Sequence, residues 1–333
     1  MWVKIFSIVA LLLFVSYEGF AKAERPEYIM VIHGGAGNIT PERLTKEREA
    51  KIHAKLNEAL LAGEAILKNG GSSMDAITAT IKILENSPLF NAGRGAVFAA
   101  NGKNELDSSI MDGKTLNTGA VSGVRNIKNP IALARAVMEK SVHVMMQGKG
   151  AEKFAKKHDI ERAPDSYFRT DVRWQQLLRA KANEKAQLDN PVDYKFGTVG
   201  AVALDKHGNI AAGTSTGGMT NKSHGRVGDS PIIGAGTYAN NESCGVSGTG
   251  HGEYFIRATV ARNICAMMEY GGKSLKEAAD AVVMKQLVEM GGNGGIIAVD
   301  KDGNYALTFN SAGMYRGVVA SNKPATTVLY SSK

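Results

Sequence analysis

Thr198 stands in the run Phe196-Gly197-Thr198-Val199-Gly200. A threonine hydroxyl is a weak nucleophile unless a base lies beside it, and a chain cut between Gly197 and Thr198 would supply one on the same residue. The freed α-amine has an ordinary pKa of about 7.7–8.0, so near neutral pH it is substantially uncharged and can take the hydroxyl proton without a histidine. Gly197 suits such a cut, because the missing side chain tolerates a strained turn and leaves its carbonyl open to attack. A Gly-Thr pair alone is more simply the start of a strand, and its surroundings must decide.

Other motifs compete. Gly213-Thr214-Ser215-Thr216-Gly217 matches the G-x-S-x-G nucleophile elbow, His33-Gly34-Gly35 resembles the matching oxyanion motif, and Asp229 and His251 follow in triad order. An elbow needs a helix directly after the serine, whereas TGGMTNKSHGRVGDSPIIGAG follows here, rich in Gly and holding a Pro. A serine hydrolase using Ser215 and His251 is therefore a weaker alternative. Gly228-Asp229-Ser230 echoes a short block of another hydrolase class, and Gly248-Thr249-Gly250-His251-Gly252 precedes a helix as a phosphate cradle would. The cradle lacks the Walker lysine and a βαβ context. Asp300-Lys301-Asp302-Gly303 lacks the further carboxylates of a calcium loop and reads as a hairpin turn.

The elements that would carry these residues follow from periodicity. Tyr28–His33 is an apolar strand expected to end in a turn at Gly34-Gly35. Helical spacing runs over Glu47–Leu67 and Ser73–Leu84, and Pro130–Lys140 is a helix with Pro at an early position. Ala96–Ala99, Asp107–Met111 and Gly119–Val124 read as short strands. From Thr198 a strand–turn–strand pattern appears (TVGAVALDKHGNIAAGTS) and recurs in GIIAVDKDGNYALTF, with helices predicted at Glu253–Tyr270 and Leu275–Met290 between them. Short turns cannot join parallel neighbours, so antiparallel sheets covered by helices, an α+β layered domain, are expected.

Composition fits a folded globular chain: 333 residues, 44% hydrophobic and 22% charged. Gly is over-represented at 38 residues and falls in short clusters, which mark tight turns and close backbone approaches. Residues 1–23 hold Lys4, an apolar run over 5–17 and small residues before Ala21 and Ala23, the layout of an export signal too short to span a bilayer. Cleavage after Ala21 or Ala23 would leave an exported protein, periplasmic by expectation or else secreted, with no membrane association after the signal is removed. The formal charge of +8 is concentrated over 153–185, with nine basic and five acidic residues, but no periodic aromatics accompany them, so a nucleic-acid partner is disfavoured. This stretch, ending near Lys195, is expected to be mobile. Cys244 and Cys265 are the two cysteines; a disulfide and two buried thiols both remain open.

The block GTVGAVALDKHGNIAAGTSTGGMTNKSHGRVGDSPIIGAGTYANN resembles the plant-type L-asparaginase/isoaspartyl peptidase (β-aspartyl peptidase) group of N-terminal-nucleophile (Ntn) hydrolases. The likeness extends over HGGAG, PLFNAGRGAVF, ELDSSIMDG, HVMMQGKGAE and GGNGGIIAVD, nearly the whole chain beyond the signal. It implies a four-layer αββα sandwich, made as a precursor that cleaves itself between Gly197 and Thr198 into an α subunit (24–197) and a β subunit (198–333). Two such pairs would assemble as an (αβ)2 heterotetramer. Thr198 would be the nucleophile, Thr216 its hydrogen-bonding partner, and Asn91 a polar support. Arg226 would clamp the substrate α-carboxylate and Asp229 the α-ammonium, with Thr249 and Gly250 as oxyanion hole. Backbone carbonyls of Leu84, Glu85, Ser87, Phe90, Ala92 and Arg94 would hold a structural Na+, and no organic cofactor is implied. The implied reaction is hydrolysis of L-asparagine and β-aspartyl dipeptides to L-aspartate. The related glycosylasparaginases more often carry Asn-Gly where Gly217-Gly218 stands here, which favours the peptidase group. A non-catalytic binding protein for small amino acids is the remaining alternative.

Overall fold

The apolar run before His33 forms strand β1 (Ile29–Gly37), which continues through the expected turn at Gly34-Gly35. A bulge absorbs Gly34: His33 pairs with Arg316 and Gly35 with Tyr315. The computed structural model describes residues 25–184 and 197–331, so the expected signal over 1–23 and the tail near Lys195 lie outside the described residues.

Helices α1 (Lys46–Lys68) and α2 (Ser73–Glu85) follow, each started by a side-chain cap: the Arg48 amide donates to Thr45 Oγ1 and the Asp75 amide to Ser72 Oγ. Next come β2 (Leu106–Asp112), β3 (Thr118–Val124), α3 (Pro130–Lys140), β4 (Met145–Gln147), α4 (Gly148–Lys157), α5 (Asp165–Phe168) and α6 (Asp171–Glu184). Beyond Gly197 are β5 (Val199–Leu204), β6 (Ile210–Thr216), β7 (Thr237–Ala239) and β8 (Cys244–Gly250). Helices α7 (Gly252–Arg257), α8 (Val260–Glu269) and α9 (Leu275–Asp280) precede β9 (Gly294–Asp300), β10 (Tyr305–Ala306), β11 (Gly313–Ala320) and β12 (Lys323–Tyr330).

The strands form two sheets, ordered β12-β11-β1-β5-β6-β2-β3-β4 and β10-β9-β8-β7. Neighbours are antiparallel except β3 with β4. Alternation explains why the central strands are apolar on both faces. In β1, Met30 and Ile32 join Ile52, Leu56, Leu60, Ile77 and Ile81 of the first helix layer, while Ile29 and Val31 meet Val202, Ile210, Ile297 and Val299 between the sheets. On the far side, Val246, Ile296 and Ala298 pack beneath Ile264, Ala278 and Val282. The result is the expected α+β sandwich of the αββα type. Each fully buried large side chain contributes roughly 1.5–3 kcal/mol.

Several local expectations are corrected. Ala96–Ala99 is buried but not a strand, because the Val97 amide donates to the Asn91 side chain instead of a neighbouring strand. The predicted helix over Glu253–Tyr270 breaks into α7 and α8 at Thr259, whose φ is 44°. After α9 the chain passes through a π-helical stretch, Ala281–Gln286, into a last turn, Leu287–Glu289. Gly248–Gly250 lies in β8, paired with β9, rather than forming a phosphate cradle. Cys244 of β8 and Cys265 of α8 form a disulfide, joining the second sheet to its helix layer.

Candidate active site

Thr198 immediately precedes β5, which lies between β1 and β6. The pairing of Val199 with Ser215 brings Thr198 beside Thr216, the last residue of β6. The Thr198 hydroxyl donates to Thr216 Oγ1 at 3.1 Å, and the Thr216 hydroxyl donates to the Gly197 carbonyl at 3.1 Å. The Gly218 amide also donates to Thr216 Oγ1, at 3.0 Å. A second donor reaches the same carbonyl: Asn91 Nδ2 lies 2.8 Å from the Gly197 oxygen. The Asn91 amide is itself fixed, donating to the Gly218 carbonyl and accepting from the Val97 amide. Gly35 explains part of HGGAG: at φ 115°, a Cβ there would sit 3.0 Å from the Gly197 Cα and 3.3 Å from the Thr198 nitrogen.

Next to Thr198 is a small cavity lined by Thr216, Arg226, Asp229 and Gly250, with Gly197 also in its wall. Arg226 makes a bidentate pair with Glu253, both contacts 3.0 Å, which the sequence reading did not single out. Burial pushes the Glu253 carboxyl up, but the Arg226 hydrogen bonds and charge outweigh it, and its pKa falls below the usual carboxylate value. Asp229 is buried, and desolvation pushes its pKa up to about 6 against the pull of Arg226. Its Oδ2 accepts no hydrogen bond among the described residues. Thr249 is buried one residue before Gly250, its Oγ1 accepting from the Ala36 amide at 3.3 Å. Ser215 points the other way, its hydroxyl donating to Glu85 Oε1 at 2.6 Å, and no helix follows β6. The elbow arrangement is absent. His251 instead lies 3.5 Å from Glu253.

Comparison with known proteins establishes the family. The family model described as asparaginase matches residues 26–329. The chain is 50% identical to an isoaspartyl peptidase of Salmonella typhimurium over 307 residues, covering 91% of this chain and 98% of that protein. It is also 50% identical to the Escherichia coli isoaspartyl peptidase over 310 residues (92% and 97%). A probable isoaspartyl peptidase/L-asparaginase of Arabidopsis thaliana is 44% identical over 313 residues (87% and 95%). The chain belongs to the plant-type asparaginase/isoaspartyl peptidase family of Ntn hydrolases. It is therefore a hydrolase, and the substrates typical of that family are small molecules. Among the described residues no helix is long and apolar enough to cross a membrane.

Within this family member, a buried polar chain escaped the sequence reading. His33 Nδ1 lies 3.0 Å from the Thr198 carbonyl and its Nε2 lies 3.0 Å from Ser247 Oγ. Ser247 Oγ meets Thr214 Oγ1 at 2.6 Å, Thr237 Oγ1 donates to Thr214 Oγ1 at 2.6 Å, and Ser109 Oγ donates to Thr237 Oγ1 at 2.8 Å. Ser109 Oγ also lies 2.6 Å from the Ser230 carbonyl, adjacent to Asp229. Burial pushes His33 down to about 3, so it is neutral. Gly200 makes room for this chain, since a Cβ there would collide with Ser247 Oγ and His33 Nε2. The available sequence signal is polar residues inside otherwise apolar strands, which calls for partners.

The loop from Leu84 to Arg94 carries Asn91. Its Glu85 side chain accepts from Ser215, the Ile131 amide and Asn129, and desolvation pushes it up to about 7. The Leu84 carbonyl accepts from the Ser87 amide and the Ala92 carbonyl from the Gly95 amide. The Glu85 and Phe90 carbonyl oxygens face the spaces that a Cβ at Gly93 and at Gly95 would fill. Gly93 also has φ 48°. Among the described residues no group of His, Cys, Asp and Glu is placed to hold a metal ion.

Proposed function

We propose that the chain cleaves itself between Gly197 and Thr198 and then hydrolyses the β-amide of L-asparagine and of β-aspartyl dipeptides, with Thr198 as nucleophile and its own α-amine as base. The observation that carries this reading is the double hydrogen bond on the Gly197 carbonyl, from Asn91 Nδ2 and the Thr216 hydroxyl, with the Thr198 hydroxyl beside Thr216.

For self-cleavage, Thr198 Oγ attacks the Gly197 carbonyl carbon. Asn91 and Thr216 stabilise the oxygen as charge builds on it. The proton leaving Thr198 has a path through Thr216 Oγ1 toward that oxygen. As the C–N bond breaks, that same proton passes on from the oxygen to the Thr198 nitrogen, leaving a neutral amine and Gly197 esterified to Thr198 Oγ. Water then cleaves the ester, giving a Gly197 carboxylate and a free Thr198 amine.

In turnover the same hydroxyl attacks the substrate's β-carbonyl, its proton passing to the α-amine. Thr249 Oγ1 and the Gly250 amide serve as donors to the tetrahedral oxyanion. Ammonia or an amino acid leaves, and water releases aspartate from the ester. Arg226 offers the fork of donors suited to the substrate α-carboxylate, which displaces or shares it with Glu253. Buried Asp229, with one oxygen unoccupied by a hydrogen bond among the described residues, suits the α-ammonium. Reading both groups together accepts N-terminal β-aspartyl residues and excludes internal ones.

Carbonyls of Leu84, Glu85, Ser87, Phe90, Ala92 and Arg94 would hold Na+, whose charge would steady the loop carrying Asn91. Assembly as (αβ)2, export by residues 1–23 and residence in the periplasm complete the reading; the Cys244–Cys265 disulfide favours an oxidising compartment. The test is hydrolysis of L-asparagine and β-aspartyl-leucine by wild type and Thr198→Ala. Release of aspartate by wild type alone is expected; equal release by both would refute it.

A further inference from the structure

A second cavity, of about 300 Å3, lies on the other side of residue 197. Gly34, Gly35, Asn91 and Gly197 form its wall toward Thr198, and Arg43, Arg48, Arg173 and Arg179 line it with no acidic residue. Arg173 donates through Nε to the Gly95 carbonyl and through Nη1 to Gln176, and burial together with the nearby Arg48 charge pushes it down to about 10. It is still a cation at neutral pH. Neither Arg48, Arg173 nor Arg179 is paired with a carboxylate among the described residues. The guanidinium groups of Arg48, Arg173 and Arg179, gathered without a carboxylate among the cavity-lining residues, repel one another, and such forks around a cavity suit a carboxylate.

Gly197 lines both this cavity and the one holding Arg226 and Asp229. The next step rests on the proposed activity. Self-cleavage frees residue 197 from Thr198, so movement of that residue would join the two cavities across the nucleophile. A β-aspartyl dipeptide carries three ionic groups near the scissile bond. Asp229 and Arg226 account for its α-amine and α-carboxylate, leaving the carboxylate of the departing amino acid without a partner.

We propose that the arginine-lined cavity is a carboxylate-binding subsite next to Thr198. Two sources can supply the carboxylate: the departing amino acid of the substrate, or the new Gly197 terminus of the α chain. Both are anions at neutral pH and both arise beside Gly197.

The experiment compares β-aspartyl-glycine with β-aspartyl-glycinamide, which differ only in that carboxylate, in the mature wild type and in an Arg48→Gln/Arg179→Gln double variant. L-asparagine, which has no such group, is the third substrate. If the substrate fills the subsite, wild type favours the free acid by about 10-fold or more in kcat/KM, since charged hydrogen bonds are involved, and the double variant narrows that preference to within about 3-fold. If the Gly197 terminus fills it, wild type treats acid and amide alike, and the variant raises kcat/KM for all three substrates together by several-fold. Equal handling of acid and amide by wild type with no change in the variant overturns the subsite while leaving the proposed activity standing. Should the variant not fold, the wild-type acid-to-amide ratio and the response of L-asparagine hydrolysis to added acetate, a rise for a displaced terminus, decide the matter; no preference and no rise reject it. Should wild type hydrolyse nothing, the activity falls, and calorimetry with the same acid and amide judges the subsite: tighter binding of the acid supports it and equal affinity rejects it.

Discussion

The side-chain hydroxyls of Thr198 and Thr216 are 3.1 Å apart, and Thr216 bridges the Thr198 hydroxyl and the Gly197 carbonyl. In the proposed self-cleavage one small side chain would both orient the Thr198 hydroxyl and polarise the Gly197 carbonyl. Thr216→Val keeps the shape and removes both hydrogen bonds. Its self-cleavage, followed on a denaturing gel, is expected to slow by on the order of 100-fold, the scale of losing one oxyanion donor. Thr216→Ser should retain most of the rate.

Asp229 yields a pH prediction. Its carboxyl, pushed up to about 6 by burial, must be ionised to hold an ammonium group. On the acid side kcat/KM for L-asparagine should therefore fall as pH drops through about 6, well above an ordinary aspartate's range. Asp229→Asn should lose roughly 10–100-fold in kcat/KM, the scale of a hydrogen bond to a charged group, with that acid limb displaced.

Much of this site is readable from the sequence because its residues fall close together. Thr198 through Asp229 occupy one hairpin and the loop after it, and the hairpin itself follows from two short runs of small and apolar residues on either side of the His207-Gly208-Asn209 turn. What escapes is set by contacts between distant segments. Glu253 meets Arg226 only because α7 packs over the loop, and His33 meets Ser247 across 214 residues of sequence and two sheets. Strand β12 goes unread for a different reason. Lys323–Tyr330 forms an edge whose residues are largely part-exposed, so the apolar signal is weak.

His33 is a positioning residue, since it touches the Thr198 carbonyl and not the reacting hydroxyl. His33→Ala removes one buried partner from the Thr198 carbonyl and one from Ser247 Oγ, which keeps Thr214, at a cost of about 1–3 kcal/mol. Lower thermal stability and slower turnover are expected, while the pH–rate profile keeps its shape, because a histidine held near 3 contributes no limb near neutrality. Loss of a limb near pH 6.5 in the variant would show that His33 titrates during catalysis.

Glu85 couples stability to pH. Its carboxyl is raised from 4.5 to about 7, so the stability associated with its protonated form is present below 4.5 and lost as pH rises through about 7. His33, depressed to about 3, acts in the opposite direction below its unfolded value of 6.5. The Glu85 contribution is therefore read as a difference. Denaturant unfolding of Thr198→Ala with and without Glu85→Gln should give a gap that shifts toward favouring Gln by on the order of 3 kcal/mol between pH 5 and pH 8. A gap independent of pH would contradict the assignment.

The Cys244–Cys265 disulfide closes a segment of 21 residues. By chain-entropy arguments it contributes about 3 kcal/mol, so Cys244→Ser/Cys265→Ser should melt several degrees lower while retaining L-asparagine turnover. Free-thiol titration of unreduced, unfolded wild type should find none.

Intact-mass measurement of active protein tests the central claim most directly. Two chains are expected, the smaller beginning at Thr198, and a single uncut chain from Thr198→Ala. Full activity in a polypeptide still continuous across residues 197 and 198 would contradict the account.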